Sequence, residues 1–92
     1  MAADKTEVDG IAVHVDASTL DDFEITEALV DMASQGDDFR QVSAIVRLFA
    51  LIFGNDAKRV KGELRSAHGG KLTNETAVTF LLHAIEAAGA KN

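Results

Sequence analysis

Asp38-Phe39-Arg40-Gln41-Val42-Ser43-Ala44-Ile45-Val46-Arg47-Leu48-Phe49-Ala50-Leu51-Ile52-Phe53 is the most apolar stretch of the chain, and its reading decides the fold. Asp38 and Gln41 have the spacing of a capping box, and the segment that follows is apolar almost all round, so it is predicted to be the central helix of a bundle. At about 100° per residue, Val42, Ile45, Phe49, Ile52 and Phe53 make its dominant face, with Leu48 and Leu51 toward the flank and back. The stretch is too short to span a bilayer, which takes roughly 20 residues, and it carries Arg47 near its middle.

The flanking segments supply partners for that helix. Upstream, Ser18 or Thr19 can cap a helix with Asp21 and Asp22 in its first turn, and Ile25, Ala28, Leu29 and Met32 fall on one stripe that ends at Gly36. Phe23 and Val30 lie off that stripe and need another neighbour. Downstream, Gly54 closes the central helix, and Asn55 or Asp56 opens a third with a thin stripe of Ala57, Val60 and Leu64. Lys58, Arg59, Lys61 and Arg65 make its outer face basic, and Gly62 weakens it by roughly 1 kcal/mol relative to Ala. After Gly69-Gly70, Leu72 and Thr73 read as a hydrophobic staple and N-cap for a fourth helix, in which Val78, Leu81, Leu82, Ile85 and Ala88 form the predicted buried face. Phe80 lies opposite that face, near Ala84 and Ala87.

At the start of the chain, Val8, Ile11, Val13 and Val15 alternate around Asp9-Gly10, a dipeptide suited to a tight hairpin turn. A β-hairpin over about residues 5 to 16 follows. Two strands alone are marginal in water, so the hairpin must pack on a helix or join a sheet built across subunits. The expected fold is mainly α, of the α+β kind: one domain over residues 1–92, with a hairpin arm (1–17) and a bundle of about four helices (18–92).

Composition narrows the function. The chain has 92 residues, 47% of them hydrophobic, no Cys and a formal charge of −6. That is enough apolar surface for one core, and neither disulfides nor thiolate metal sites can supplement it. Through Asp38 there are eleven acids against Lys5 alone, a balance of −10; from Phe39 onward four acids oppose eight bases, a balance of +4. The two halves attract, either within one molecule or between neighbours in a head-to-tail homo-oligomer. The start has no basic region followed by an apolar run, which argues against a secretory signal.

No catalytic, cofactor or metal site emerges. His14, His68 and His83 lack the i, i+3 or i, i+4 spacing that puts two metal ligands on one helix face. Gly69-Gly70-Lys71-Leu72-Thr73 departs from a phosphate loop, because Leu72 stands where the hydroxyl should follow the Lys and Arg65 where the earlier Gly belongs. Asp21-Asp22 and Asp37-Asp38 lack the alternating ligands of a calcium loop. Ser18 follows Ala17, so the acidic-hydroxyl-aliphatic motif of a carrier protein is absent. Helices two and three could be arranged as the helix-turn-helix of a small transcriptional regulator, but the acidic first half opposes binding to phosphates.

Taken in order, the hairpin at Asp9-Gly10, Thr19-Leu20-Asp21-Asp22-Phe23-Glu24 opening an acidic helix, the apolar helix ending in Phe53-Gly54, the short basic helix with Leu64, the Gly70-Lys71-Leu72-Thr73 break and the final helix from Val78 to Ala88 form a pattern. It resembles the short-form tail assembly chaperones of long, non-contractile-tailed bacteriophages, in their Gram-positive-host branch. The likeness covers most of the chain and consists of residue type and spacing, without an invariant residue. It implies a non-catalytic protein of the host bacterial cytoplasm, absent from the mature virion. Such a protein coats the phage tape measure protein, keeps it soluble, and gives way as tail tube protein polymerises. Members of the family are often made in two lengths by a −1 ribosomal slip, and Ala90-Lys91-Asn92 can be encoded with a run of adenines. Leu48, Leu51, Phe80 and Ala84 are the candidate partner-binding residues, as apolar side chains surplus to a one-sided core. The alternative for them is ordinary burial under the hairpin or in a subunit interface.

Overall fold

In a computed structural model that describes residues 5–34 and 36–89, Asp9 and Gly10 both take positive φ, 53° and 83°. Two consecutive positive φ angles give a turn whose twist matches that of the flanking strands. It joins β1 (Lys5–Val8) to β2 (Ile11–His14) as an antiparallel pair with Val8 opposite Ile11 and Thr6 opposite Val13. Residues 1–4, Gln35 and 90–92, the last being the Ala90-Lys91-Asn92 stretch noted above, lie outside the described residues.

Four α-helices follow: α1 (Phe23–Met32), α2 (Asp38–Phe53), α3 (Ala57–Ala67) and α4 (Asn74–Gly89). Their starts differ from the sequence expectation by small, explicable shifts. Ser18 makes no side-chain cap; it precedes a 3-10 turn over Thr19–Asp21, after which extended backbone at Asp22 breaks the helical path. The Asp22 carboxylate then accepts a bond from the Glu24 amide at 2.9 Å and caps α1. In α2 the cap is Asp37, not Asp38, accepting from the Arg40 amide at 3.0 Å. Adjacent aspartates are chemically equivalent caps, so backbone geometry decides between them. The Asp56 carboxylate, expected to cap α3, is engaged by Arg59 instead, while Thr73 behaves as anticipated, its Oγ1 accepting from the Thr76 amide at 3.1 Å. Gly54, with φ 56° and ψ −127°, ends α2 in a conformation that disfavours any residue with a Cβ.

α2 is central. It packs against α1, α3 and α4, while β1 lies on α4 and β2 on α3. Val8, Ile11, Val13 and Val15 are all buried, so the hairpin meets its need for a partner on the helices of its own chain. The rings of Phe49, Phe53 and Phe80 meet in the middle, with centroids 5.6 to 6.4 Å apart.

This packing corrects the expected helix faces. The buried arc of α2 extends past the expected face to take in Ala44 and Leu48, the latter fully enclosed, and Val42 is more than a third exposed. In α4 the buried side is Ala77, Phe80, Leu81, Ala84 and Ala88, whereas Leu82 faces outward. Neighbours on several flanks widen each buried arc, and alanines let backbones approach closely where a count of large side chains registers little.

Candidate partner-binding surface

The four residues singled out as a partner patch do not form a surface. Leu48, Phe80 and Ala84 belong to the buried core, and Leu51 is partly buried against it. Of the two readings open at the sequence level, burial is the one realised within the chain: Leu48 is fully enclosed in the core, and Phe80 stacks on Phe49.

The apolar side chains that do reach solvent are others. Phe39 is 84% exposed, Phe23 71%, Val30 64% and Val46 59%, with Val42 and Leu82 less so. Phe23 and Val30 are the two that lie off the apolar stripe of α1. Phe39, Val42 and Val46 were missed, although their spacing holds the signal: i, i+3 and i+7 put them within ~60° of one another, on the side of α2 opposite Leu48. Phe23 and Val30 border the Arg47 side of α1 and α2, whereas Val46 lies beside Lys61 and Arg65 of α3, so these side chains are distributed around the two helices.

Polar groups stand among them. Arg47 reaches from α2 to Asp31 of α1 at 3.1 Å, and it lines a hollow of about 340 Å³ with Phe23, Thr26, Glu27 and Val30. Its Nε is buried without a partner. Arg40 sits 3.8 Å from Asp37. Glu24, Glu27 and Asp38 are exposed around the same helices.

Elsewhere, charged side chains tie the hairpin down. Arg59 of α3 donates to Asp56 at 2.8 Å, to Glu63 at 2.6 Å and to the Ala12 carbonyl of β2 at 2.9 Å. The hydrogen bond to Asp56, then that to Glu63, holds its guanidinium pKa still further above the ordinary value. His83 of α4, exposed to solvent, has Nδ1 2.9 Å from the Asp9 carboxylate at the hairpin turn. Lys61 places its ammonium 6.0 Å from the centre of the Phe49 ring, a cation–π distance. Two of the four bases on α3 are thus engaged internally.

Among the described residues, no three His, Asp or Glu side chains converge as a metal site, and no helix is long and apolar enough to cross a membrane. Comparison with protein-family profiles, curated proteins and solved structures gives no significant match.

Proposed function

We propose that this chain is a non-catalytic protein-binding domain acting as a tail assembly chaperone. On this reading it holds a long helical phage protein, the tape measure protein, soluble in the host cytoplasm until tail tube protein replaces it, and it leaves before the virion is mature. The observation that carries the proposal is the number of large apolar side chains left exposed on α1 and α2, Phe23, Val30, Phe39, Val42 and Val46, outside a core that is already filled. A side chain such as Phe39, exposed beside a closed core, adds nothing to folding that smaller polar residues would not, and it fits a role in contact with another chain. The family assignment itself rests on the sequence pattern around Asp9-Gly10, Thr19 to Glu24, Phe53-Gly54 and Gly70 to Thr73.

Co-expression tests it. The chain, produced with the long helical open reading frame of its own genome, is expected to raise the soluble fraction of that product, and Phe39→Ser is expected to reduce the gain. A client equally insoluble with and without the chain would refute the proposal. A gel shift with random duplex DNA at moderate salt separates the helix-turn-helix alternative. The chaperone reading expects no shift, because the molecule is acidic and Arg59 and Lys61 are already engaged within it.

A further inference from the structure

The acidic first part of the chain and its basic second part attract each other, yet the fold brings few of their charges together. Among the described residues, Asp31 with Arg47 and Asp9 with His83 are the contacts that join the two parts across the fold. The pairs of Arg40 and Arg59 are local, with carboxylates three or four residues away. Glu24 and Glu27 of α1 have no ion-pair partner among the described residues, and neither do Lys58, Lys61 and Arg65 of α3. Lys61 and Arg65 line a hollow of about 190 Å³ whose walls include Ile45, Val46, Phe49 and Leu72, and no acid lines it. On α1, Phe23 is 71% exposed and stands beside Glu24, with Glu27 one turn on. We infer that a second copy of the chain docks on this hollow, its Phe23 entering between the apolar walls and its Glu24 and Glu27 pairing with Lys61 and Arg65.

Charge complementarity selects that occupant. The hollow offers two cations one helical turn apart beside apolar walls, and the start of α1 offers two carboxylates one turn apart beside an exposed ring. Both patches belong to the same chain, so every copy brings one of each. Pairing α1 with α1 would set Glu24 and Glu27 against acids like themselves, and pairing α3 with α3 would set bases against bases. The contact is therefore heterologous, and it strings copies head to tail into a filament, or into a ring where the rotation closes. The net charge of −6 opposes association in general. It leaves this orientation favoured, because unlike charges are in contact while charges farther apart than ~10 Å are screened at 0.1 M salt. The inference goes beyond the chaperone reading and does not depend on it, since it concerns contact between copies and involves no client.

The test is sedimentation of the full chain at low salt, with melting curves as the control for folding. The parent is expected to associate with rising concentration, and Lys61→Glu/Arg65→Glu and Glu24→Lys/Glu27→Lys each to weaken this about tenfold or more. The second variant moves the net charge from −6 by +4 to −2, so net repulsion cannot account for its loss. An equimolar mixture of the two should associate again, because the native acids of the first meet the native bases of the second. Phe23→Ser should weaken association severalfold at an unchanged melting temperature. If Lys61→Glu disturbs Phe49 beneath it, Arg65→Glu alone, with its exposed side chain, carries the same expectation. The chain has no Cys, so the contact can also be trapped: Glu24→Cys mixed with Arg65→Cys under mild oxidation should give the mixed disulfide dimer in excess of either homodimer. A strict monomer at high concentration, even one that takes up an added acidic peptide, would overturn the inference. So would association unchanged in both charge-reversed variants, or disulfide dimers formed as readily by Glu24→Cys alone.

Discussion

Replacing Leu48 with Ala removes three carbons from a side chain that is completely enclosed between α2 and its neighbours. Transfer alone costs about 2.4 kcal/mol, at ~0.8 kcal/mol per carbon. The vacated space adds more because the surroundings collapse only in part, and enclosed leucines truncated to Ala lose roughly 3 to 5 kcal/mol. A domain of 92 residues has about 5 to 14 kcal/mol in total, at ~0.05 to 0.15 per residue. The variant should therefore melt at least ~12 °C lower, taking about 4 to 8 °C per kcal/mol. Phe39→Ala, on the same helix but 84% exposed, should stay within about 0.5 kcal/mol of the parent. The assay is thermal and urea unfolding followed by helical circular dichroism at several protein concentrations, with the urea slope checked for constancy. If Leu48→Ala melts with the parent while Phe39→Ala collapses, α2 is rotated from the orientation described, and both the core and the surface built on it are wrong.

Gly54→Ala should cost about 1 to 3 kcal/mol through backbone strain alone, since an added Cβ meets no atom within 4 Å but φ is 56°; an unchanged melting curve would contradict this. Arg59→Ala should speed amide exchange in β2 severalfold while barely moving the global melt, because its partners are exposed and such pairs contribute little. Arg59→Lys should restore this only in part, since an ammonium cannot fork to Asp56, Glu63 and the Ala12 carbonyl together; full restoration would show that charge alone suffices. The charge imbalance between the halves predicts self-association at low salt that weakens as exposed charges are screened beyond ~10 Å at 0.1 M. A strict monomer by sedimentation at high concentration and low salt would rule it out.

Local signals in the chain were legible wherever one residue type has one conformational use. Asp9-Gly10 encodes its turn through positive φ, Thr73 its cap, and Gly54 the end of α2. The faces of the central helices were not, and the reason is physical. Periodicity shows which residues could be buried, while the number of neighbours decides how wide the buried arc becomes. α2 touches three helices, so the flank on which Leu48 lies is buried along with the dominant face. Phe80 was placed opposite the buried side of α4 because Ala77 and Ala84 carry little weight in a hydrophobic pattern, although both are buried beside it. The candidate surface was half visible: Phe23 and Val30 stood off their stripe, but Phe39 was overshadowed by the stronger apolar run that follows it.

The hairpin is made early, and the floor beneath it late. Val8, Ile11, Val13 and Val15 rest on α3 and α4, yet α4 begins only at Asn74. At about 5 to 20 residues per second, the roughly 60 intervening residues take ~3 to 12 s to synthesise. During that interval the nascent chain carries two aliphatic strands without cover, a state that favours pairing with the next chain on the same messenger. Glu7, Asp9 and Asp16, set among those four aliphatic residues, add like charges that oppose such pairing.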